Sequence, residues 1–362
     1  MSACDACLRR TALVAALAAQ LDVEWRRRDA PAAVLSLPDE ALLALDRTGR
    51  IARGHERFSA GPARAAIATA GLTAACRCDA SYPEALRELA DPPAVLHVAG
   101  GVAALAAGDG IALVGARRGT PYGLEVARSL GRGLSAAGVP VVSGLALGVD
   151  SAAHVGALLA PGGPRPVAVL AGGADIPYPA SRRRLYREVA GRGAVVSELP
   201  PGFRPYRWSF VARNRLIAGL AAATVVVEAT ERSGSLTTAD FAEQLGRPVG
   251  AVPGPVTSRF SSGTNTLLAA GAAVIRDAPD ALDLVGAPAP PILPAPPPAV
   301  PLEPRLRRLL DAIERGGGSL AELATDPEAT RQVLADLTDL ELRGLVRRGF
   351  GGRYVRAAGE TW

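Results

Sequence analysis

The sequence predicts an α/β protein centred on a doubly wound, mainly parallel sheet, with a helical segment before it and a small helix-and-hairpin domain after it. Seven short apolar or β-branched runs follow one another between residues 111 and 277, and most lead into a helical pattern. Continuous apolar strands alternating with helices indicate a parallel sheet covered on both faces. Glycine recurs just after the strands, at the carboxyl ends where open doubly wound sheets bind their ligands. Residues 288–301 hold eight prolines in fourteen positions, so the sheet domain ends in an extended linker.

Taken in order, residues 1 to about 75 read as helices only. TALVAALAAQL, AAVLSLPDEALLALD and FSAGPARAAIATAG repeat apolar residues at three- and four-residue spacing, interrupted by Pro and Gly. The strands are then IALVG, PVVSG, VAVLAG, AVVSE, ATVVVEAT, VGAVPG and AAVIRD. After the linker, EPRLRRLLDAIERGG, SLAELAT and DPEATRQVLADLTDLELRGL read as three helices, with Ser319 and Asp326 as N-caps. RGLVRRGFGGRYVRA reads as a hairpin turning at Gly351-Gly352. Three helices and a basic β-wing resemble a winged helix-turn-helix. The expected domains are 1–78, 79–286, a linker over 287–302, and 303–362.

The chain of 362 residues is 49% hydrophobic, enough to bury a sizeable core. No apolar run reaches the ~18 residues that span a bilayer. The apolar N-terminal stretch continues into LDVEWRRRD without a small-residue cleavage site, so it reads as an amphipathic helix and the protein as cytoplasmic. All forty basic residues are arginine, and the net charge is +5. A GC-rich genome accounts for most of that bias, but arginine's planar fork also suits phosphate, which points towards nucleic acid. Cys4 and Cys7 form CDAC, and Cys76 and Cys78 form CRC. Paired cysteines in a cytosolic chain suggest a tetrahedral structural zinc, against the alternative of small buried residues or incidental surface thiols.

Four stretches carry chemistry. In VGARRGTPYG, Arg117 and Arg118 lie beyond the first strand, and Pro121 starts a helix whose N-terminal amides complete an anion site. In SGLALGVDSAAH, Ser143 and Gly144 offer a hydroxyl and an amide, with Asp150 as helix N-cap and His154 one turn on. An Asp150–His154 acid–base pair is the minority reading, because no nucleophile or second carboxylate accompanies it. RPYRWSFVARNRLIAG interleaves Arg204, Tyr206, Arg207, Trp208 and Phe210 before Arg213, Asn214 and Arg215. Guanidinium groups can follow phosphates while rings stack on unpaired bases; Arg207 and Phe210 read as ligand groups and Trp208 as core. In VVVEATERSGSLTTA, Ser233, Gly234, Ser235 and Thr237 surround a helix start, and Glu228 reads as a salt-bridge partner of Arg213 or Arg215. SSGTNTLLAAGA, with Gly263, Thr264 and Asn265, repeats the scheme.

VGARRGTPYG, SGLALGVDSAAH, VLAGGADIPYP, SELPPG, F-x-x-RNRLIAGL, VVVEATERSGSLTTA, AVPG and GTN, in that order across about residues 82–277, resemble the DNA-processing protein A family (DprA, also called Smf). The resemblance implies an extended Rossmann-like domain that dimerises, flanked by a SAM-like helical domain and a winged-helix domain. It implies single-stranded DNA held in a basic pocket by Arg117, Ser143, Gly144, Arg207, Phe210 and Asn214, with phosphate-binding groups from Ser233 to Thr237. It also implies RecA recombinase loading on incoming DNA during natural transformation, displacement of single-strand-binding protein, and no catalytic activity. The sequence departs from the family pattern SGLARGID at Leu147, where arginine is usual.

Two other classes remain open on the sequence. A phosphoribohydrolase-like enzyme acting on a nucleoside monophosphate would share the sheet and could use Glu228 with Arg213, although its PGGxGT-type loop is replaced here by ERSGSLTT. A transcription regulator would read duplex DNA through Arg347, Arg348, Arg353 and Arg356.

Overall fold

Ile111–Val114, the run IALV, buries all four side chains because helices cover both faces of its strand. Ile111 and Leu113 enter one apolar layer with Leu130 and Leu134, whereas Ala112 and Val114 enter the opposite layer with Leu216 and Ile217. Each such burial is worth roughly 1.5–3 kcal/mol for a large aliphatic side chain, so the two-sided pattern holds the sheet. The structure, a computed structural model, describes the chain apart from residues 1–2, 29–33, 106–109, 161, 165, 288–302, 315–317, 325, 343–344, 349–352 and 357–362. The expected linker thus lies almost wholly outside the described residues, as does the turn at Gly351-Gly352. Contacts divide the chain into two units, Met1–Pro291 and Ile292–Trp362.

The first unit holds a nine-stranded sheet. Its strands are β1 (Thr73–Cys76), β2 (Val95–Gly100), β3 (Ile111–Val114), β4 (Val141–Ser143), β5 (Val167–Val169), β6 (Ala194–Ser197), β7 (Ala223–Val226), β8 (Val249–Ala251) and β9 (Ala273–Val274). They lie in the order β1-β2-β6-β5-β4-β3-β7-β8-β9. From β6 to β9 every pairing is parallel; β2 pairs antiparallel with β6, and β1 antiparallel with β2. All seven expected strands are present as β3–β9. The winding reverses between β3 and β7, which opens a crevice at their carboxyl ends.

β1 and β2 are additions to the expected sheet. Thr73–Cys76 falls in the segment read as helical, and TAAC is too short and too rich in alanine to show a strand pattern alone. Pairing with β2 makes it a strand. The helices before it are α1 (Asp5–Ala16), α2 (Ala18–Arg28), α3 (Asp39–Leu43), α4 (Arg50–Glu56) and α5 (Ala60–Thr69). They pack on the sheet and on the start of the helix that carries Trp208, so they belong to the same unit.

Of the helices between strands, α6 (Pro121–Ala136) and α7 (Val149–Leu159) cover one face, while α8 (Arg183–Arg192) packs against β2 and β6. On the face opposite α6 and α7 lie α9 (Arg207–Gly219) and α10 (Leu236–Gln244). Further along the described residues are α11 (Ser262–Ala269) and α12 (Ala278–Asp283). Pro121 stands in the first turn of α6, behind a Thr120 cap that accepts from the Gly123 amide.

Among its described residues the second unit has the helices α13 (Pro304–Glu314), α14 (Leu320–Leu323) and α15 (Pro327–Leu342), then antiparallel strands β10 (Val346–Arg348) and β11 (Tyr354–Arg356). Ser319 and Glu322 form a reciprocal capping box, and the Asp326 carboxylate accepts from the amides of Glu328 and Ala329. Arg353 pairs with Glu322; the side chains of Arg347, Arg348 and Arg356 lie outside the described residues. Among the described residues no helix is long and apolar enough to cross a membrane.

Candidate nucleic-acid interface

The crevice between β3 and β7 is a pocket of about 380 Å³. Residues 114–118 at the end of β3, Ala146 and the start of α7 at Asp150, Thr230 to Ser235 after β7, Thr238 of α10, Phe260 before α11 and the Phe210–Ile217 side of α9 build it. Close backbone approach makes this assembly. A Cβ on Gly148, which has φ of +79°, would lie 2.2 Å from the Ala116 carbonyl oxygen, so only glycine lets the second loop lie on the first. The Val149 amide donates to Ala116 O, and the Ala116 amide donates to Glu228 O.

The charged lining is Arg117, Arg118, Arg213 and Asp150, three cations against one carboxylate. Arg117 stacks on Phe210, its guanidinium carbon 4.8 Å from the ring centroid, and Tyr178 packs on the same ring at 5.4 Å. Tyr178 is 44% exposed. Its motif, VLAGGADIPYP, was legible in the sequence, but only the fold brings the Tyr178 ring beside Phe210. The result is a guanidinium–aromatic–aromatic row near the pocket mouth.

The floor differs from the rim. Arg213 is buried, with Nη1 donating to Gly144 O and Val169 O at 2.7 Å each and Nε donating to Asn214 Oδ1. Burial lowers its pKa to about 10, Arg117 adds to the lowering, and the nearby Asp150 opposes it. Burial likewise raises the Asp150 pKa, against the pull of Arg213 and Arg117. The Asp150 carboxylate accepts from the Gly144 amide at 3.1 Å. It is not the N-cap expected from sequence: Gly148 holds that place, and Asp150, the second residue of α7, turns back to fasten the loop.

Of the sequence candidates, Arg117, Arg118, Phe210, Arg213, Asn214, Ser233, Gly234 and Ser235 line the pocket together. Ser143, Gly144, Arg207 and Thr237 are not in the lining. Ser143 is fully buried beneath the loop and donates its hydroxyl hydrogen to Leu113 O. Gly144 is buried, with its carbonyl accepting from Arg213. Thr237 donates to Gly234 O, and Asn214 Nδ2 donates to both Gly234 O and Thr237 Oγ1. Thr237 therefore shapes the serine loop. Arg207 opens α9 on the exposed surface.

Glu228 pairs with neither Arg213 nor Arg215. Its carboxylate accepts from the Thr120 amide at 2.7 Å and the Thr120 hydroxyl at 2.5 Å, bracing the start of α6. Asn265 is spent on the Gly254 backbone, donating to its carbonyl and accepting from its amide. Trp208 is core, as expected, and donates from Nε1 to Ala18 O. His154 is wholly buried, and burial holds its pKa down at about 4, in keeping with a packed ring. Outside the crevice, the four cysteines converge in the same unit.

Residues 73–286, the whole sheet domain around this crevice, match the family model of the DNA recombination-mediator protein A. The chain belongs to this DprA family. A DprA-type DNA processing protein of Mycobacterium tuberculosis is 44% identical over 253 residues, covering 68% of this chain and 64% of that relative. The chain thus spans just under two thirds of that relative's length. Protein Smf of Synechocystis is 33% identical over 316 residues, 77% of this chain and 78% of its own length. Among solved structures, DprA of Streptococcus pneumoniae aligns with a TM-score of 0.63 at 28% identity, over 78% of this chain and 98% of that one. DprA of Helicobacter pylori, solved for its single-stranded DNA binding mode, aligns at 0.53 and 31% identity, over 59% and 96%.

Proposed function

We propose that this chain is a non-catalytic, cytoplasmic recombination mediator that grips single-stranded DNA at the β3–β7 crevice. It acts as a homodimer that loads a RecA-type recombinase on incoming strands while single-strand-binding protein is displaced. The observation that carries this reading is the row Arg117–Phe210–Tyr178, exposed at Arg117 and Tyr178 and half-buried at Phe210, in a pocket whose charged lining is three arginines and one aspartate. Phosphates meet the arginines, and unpaired bases stack on the rings, which a paired duplex cannot offer. The DNA-binding relative from Helicobacter pylori supports it. The phosphoribohydrolase reading is less favoured, because Glu228 lies outside the crevice lining and its carboxylate accepts from Thr120. C-terminal helices and strands in winged-helix order would supply a further contact surface.

Fluorescence anisotropy with oligo-dT and a matched duplex across a salt series tests the proposal. Single strands should bind tighter than duplex, with log Kd rising linearly with log salt. Arg117→Ala and Phe210→Ala should each weaken oligo-dT binding about 5- to 150-fold, the equivalent of ~1–3 kcal/mol, with Tm nearly unchanged. Equal affinity for both DNAs with a flat salt slope would sink the proposal.

A further inference from the structure

Four sulfurs meet where the first helix touches the edge of the sheet, and this placement is independent of the DNA-binding reading. Cys4 is the N-cap of α1, without a side-chain cap hydrogen bond, and Cys7 follows in the first turn. Cys76 ends β1, and Cys78 stands two residues on, in the turn after it. All four Sγ atoms lie within 4.8 Å of one another. The Cys7 and Cys78 sulfurs, 71 positions apart in the chain, are 3.7 Å apart. All four thiols are free.

The geometry points to a structural zinc site of four thiolates, Cys4, Cys7, Cys76 and Cys78, that staples α1 to the β1 edge. With Zn–S bonds of about 2.3 Å, the sulfurs of a regular tetrahedron are about 3.8 Å apart. The Cys7–Cys78 separation of 3.7 Å is close to that value. A disulfide needs about 2.05 Å and joins sulfurs in twos, so it gives no reason for four to share one locus. Burial fits a closed site with an entry path. Cys7 and Cys76 belong to the apolar layer with Leu8, Ile67 and Val95, Cys4 is half-buried, and Cys78 is exposed. The spacing also explains the sequence. C-x-x-C suits the first turn of a helix, and the tighter C-x-C spans a strand end and its turn.

A zinc there ties down more than the N-terminus. α1 continues into the cluster of Leu13, Leu17, Leu21 and Leu42 that packs on Trp208 in the first turn of α9. Trp208 is held by Ala18 O at its ring nitrogen and by Asp22 at its amide. The metal would thus fix the helical segment at the sheet edge, and that segment seats the start of the helix bearing Phe210.

The test is metal analysis and native mass spectrometry of full-length protein purified without added metal. One zinc per chain is expected, lost from Cys78→Ser and Cys4→Ser. Cobalt exchanged into the wild type should give the intense visible bands of tetrahedral thiolate coordination. A strong chelator should lower Tm by roughly 5 °C or more. The wild-type measurements stand even where a variant fails to fold. Zinc-free protein with four alkylatable thiols, two disulfides by mass, bound iron in place of zinc, or zinc kept by the Cys4→Ser, Cys78→Ser double variant would each overturn the proposal.

Discussion

On one helix, Arg215 is locked in a closed knot of two carboxylates, whereas Arg213, two residues before it, lies under an open pocket. Arg215 donates from Nε to Asp91 Oδ2 at 2.7 Å and from both terminal nitrogens to Glu198, at 2.9 and 2.7 Å. The two acids hold its positive charge in place against burial. Arg213 instead bonds backbone carbonyls at the ends of β4 and β5 and has one acid nearby, Asp150, whose pKa burial raises. The same residue type in one short motif is a structural brace on one side and a pocket floor on the other. The number of carboxylates within reach decides which, and that number comes from distant segments. Arg117 is the third case: an aromatic ring steadies it, and it lines the open crevice.

The strongest way to break this contrast is Arg215→Met. It leaves Asp91 and Glu198 charged and unpaired in the interior, at a cost of roughly 3–5 kcal/mol. Urea unfolding should show that loss, while oligo-dT affinity of the folded protein stays near wild type. Loss of binding with full stability would show that Arg215 belongs to the pocket instead.

Acid should strain both sides of the molecule. Burial holds His97, which pairs in register with Ser197 beside the knot, and His154, on the pocket helix, at about 4. An unfolded histidine titrates near 6.5, so the unfolded chain takes up these protons first as pH falls. The stability each ring contributes is complete above about pH 6.5 and is lost as pH falls towards 4, by roughly 3 kcal/mol per ring. His97→Asn and His154→Asn should each flatten the fall of Tm across that window. If neither changes the slope, the rings are not the groups responsible.

The smallest effect sharpens the rim. Leu147 is 40% exposed and follows the pocket-lining Ala146, at the place where the family pattern SGLARGID has arginine. Leu147→Arg should tighten oligo-dT binding a few-fold at low salt and steepen the salt slope by about 0.7, one added phosphate contact on a single strand. An unchanged slope would place residue 147 away from the bound strand.

Much of this was legible in the sequence. IALV, PVV and ATVVV announced β3, β4 and β7, because strands covered on both faces must be apolar throughout. Gly144 marked a loop at the end of β4, Arg117 an anion site, and Arg207 with Phe210 a stacking surface; the fold instead sets Arg117 on Phe210 and leaves Arg207 outside the pocket lining. Less legible was β1, whose four residues become a strand only through β2. The sequence also led to overcounting of donors: Ser143, Thr237 and Asn265 look available in a string, but each is spent on a neighbouring backbone group.

The sequence by itself determined the succession of strands β3 to β9 and the helices between them, the all-arginine charge and the two cysteine pairs, since these depend on residue type and short spacing. Tertiary structure alone decided which arginines meet acids and which line the crevice, that Glu228 holds Thr120, and that CDAC and CRC share one locus. Those outcomes rest on contacts between segments far apart in the chain. A hydrogen bond or an ion pair takes its partner from whatever the packed sheet brings within about 3 Å.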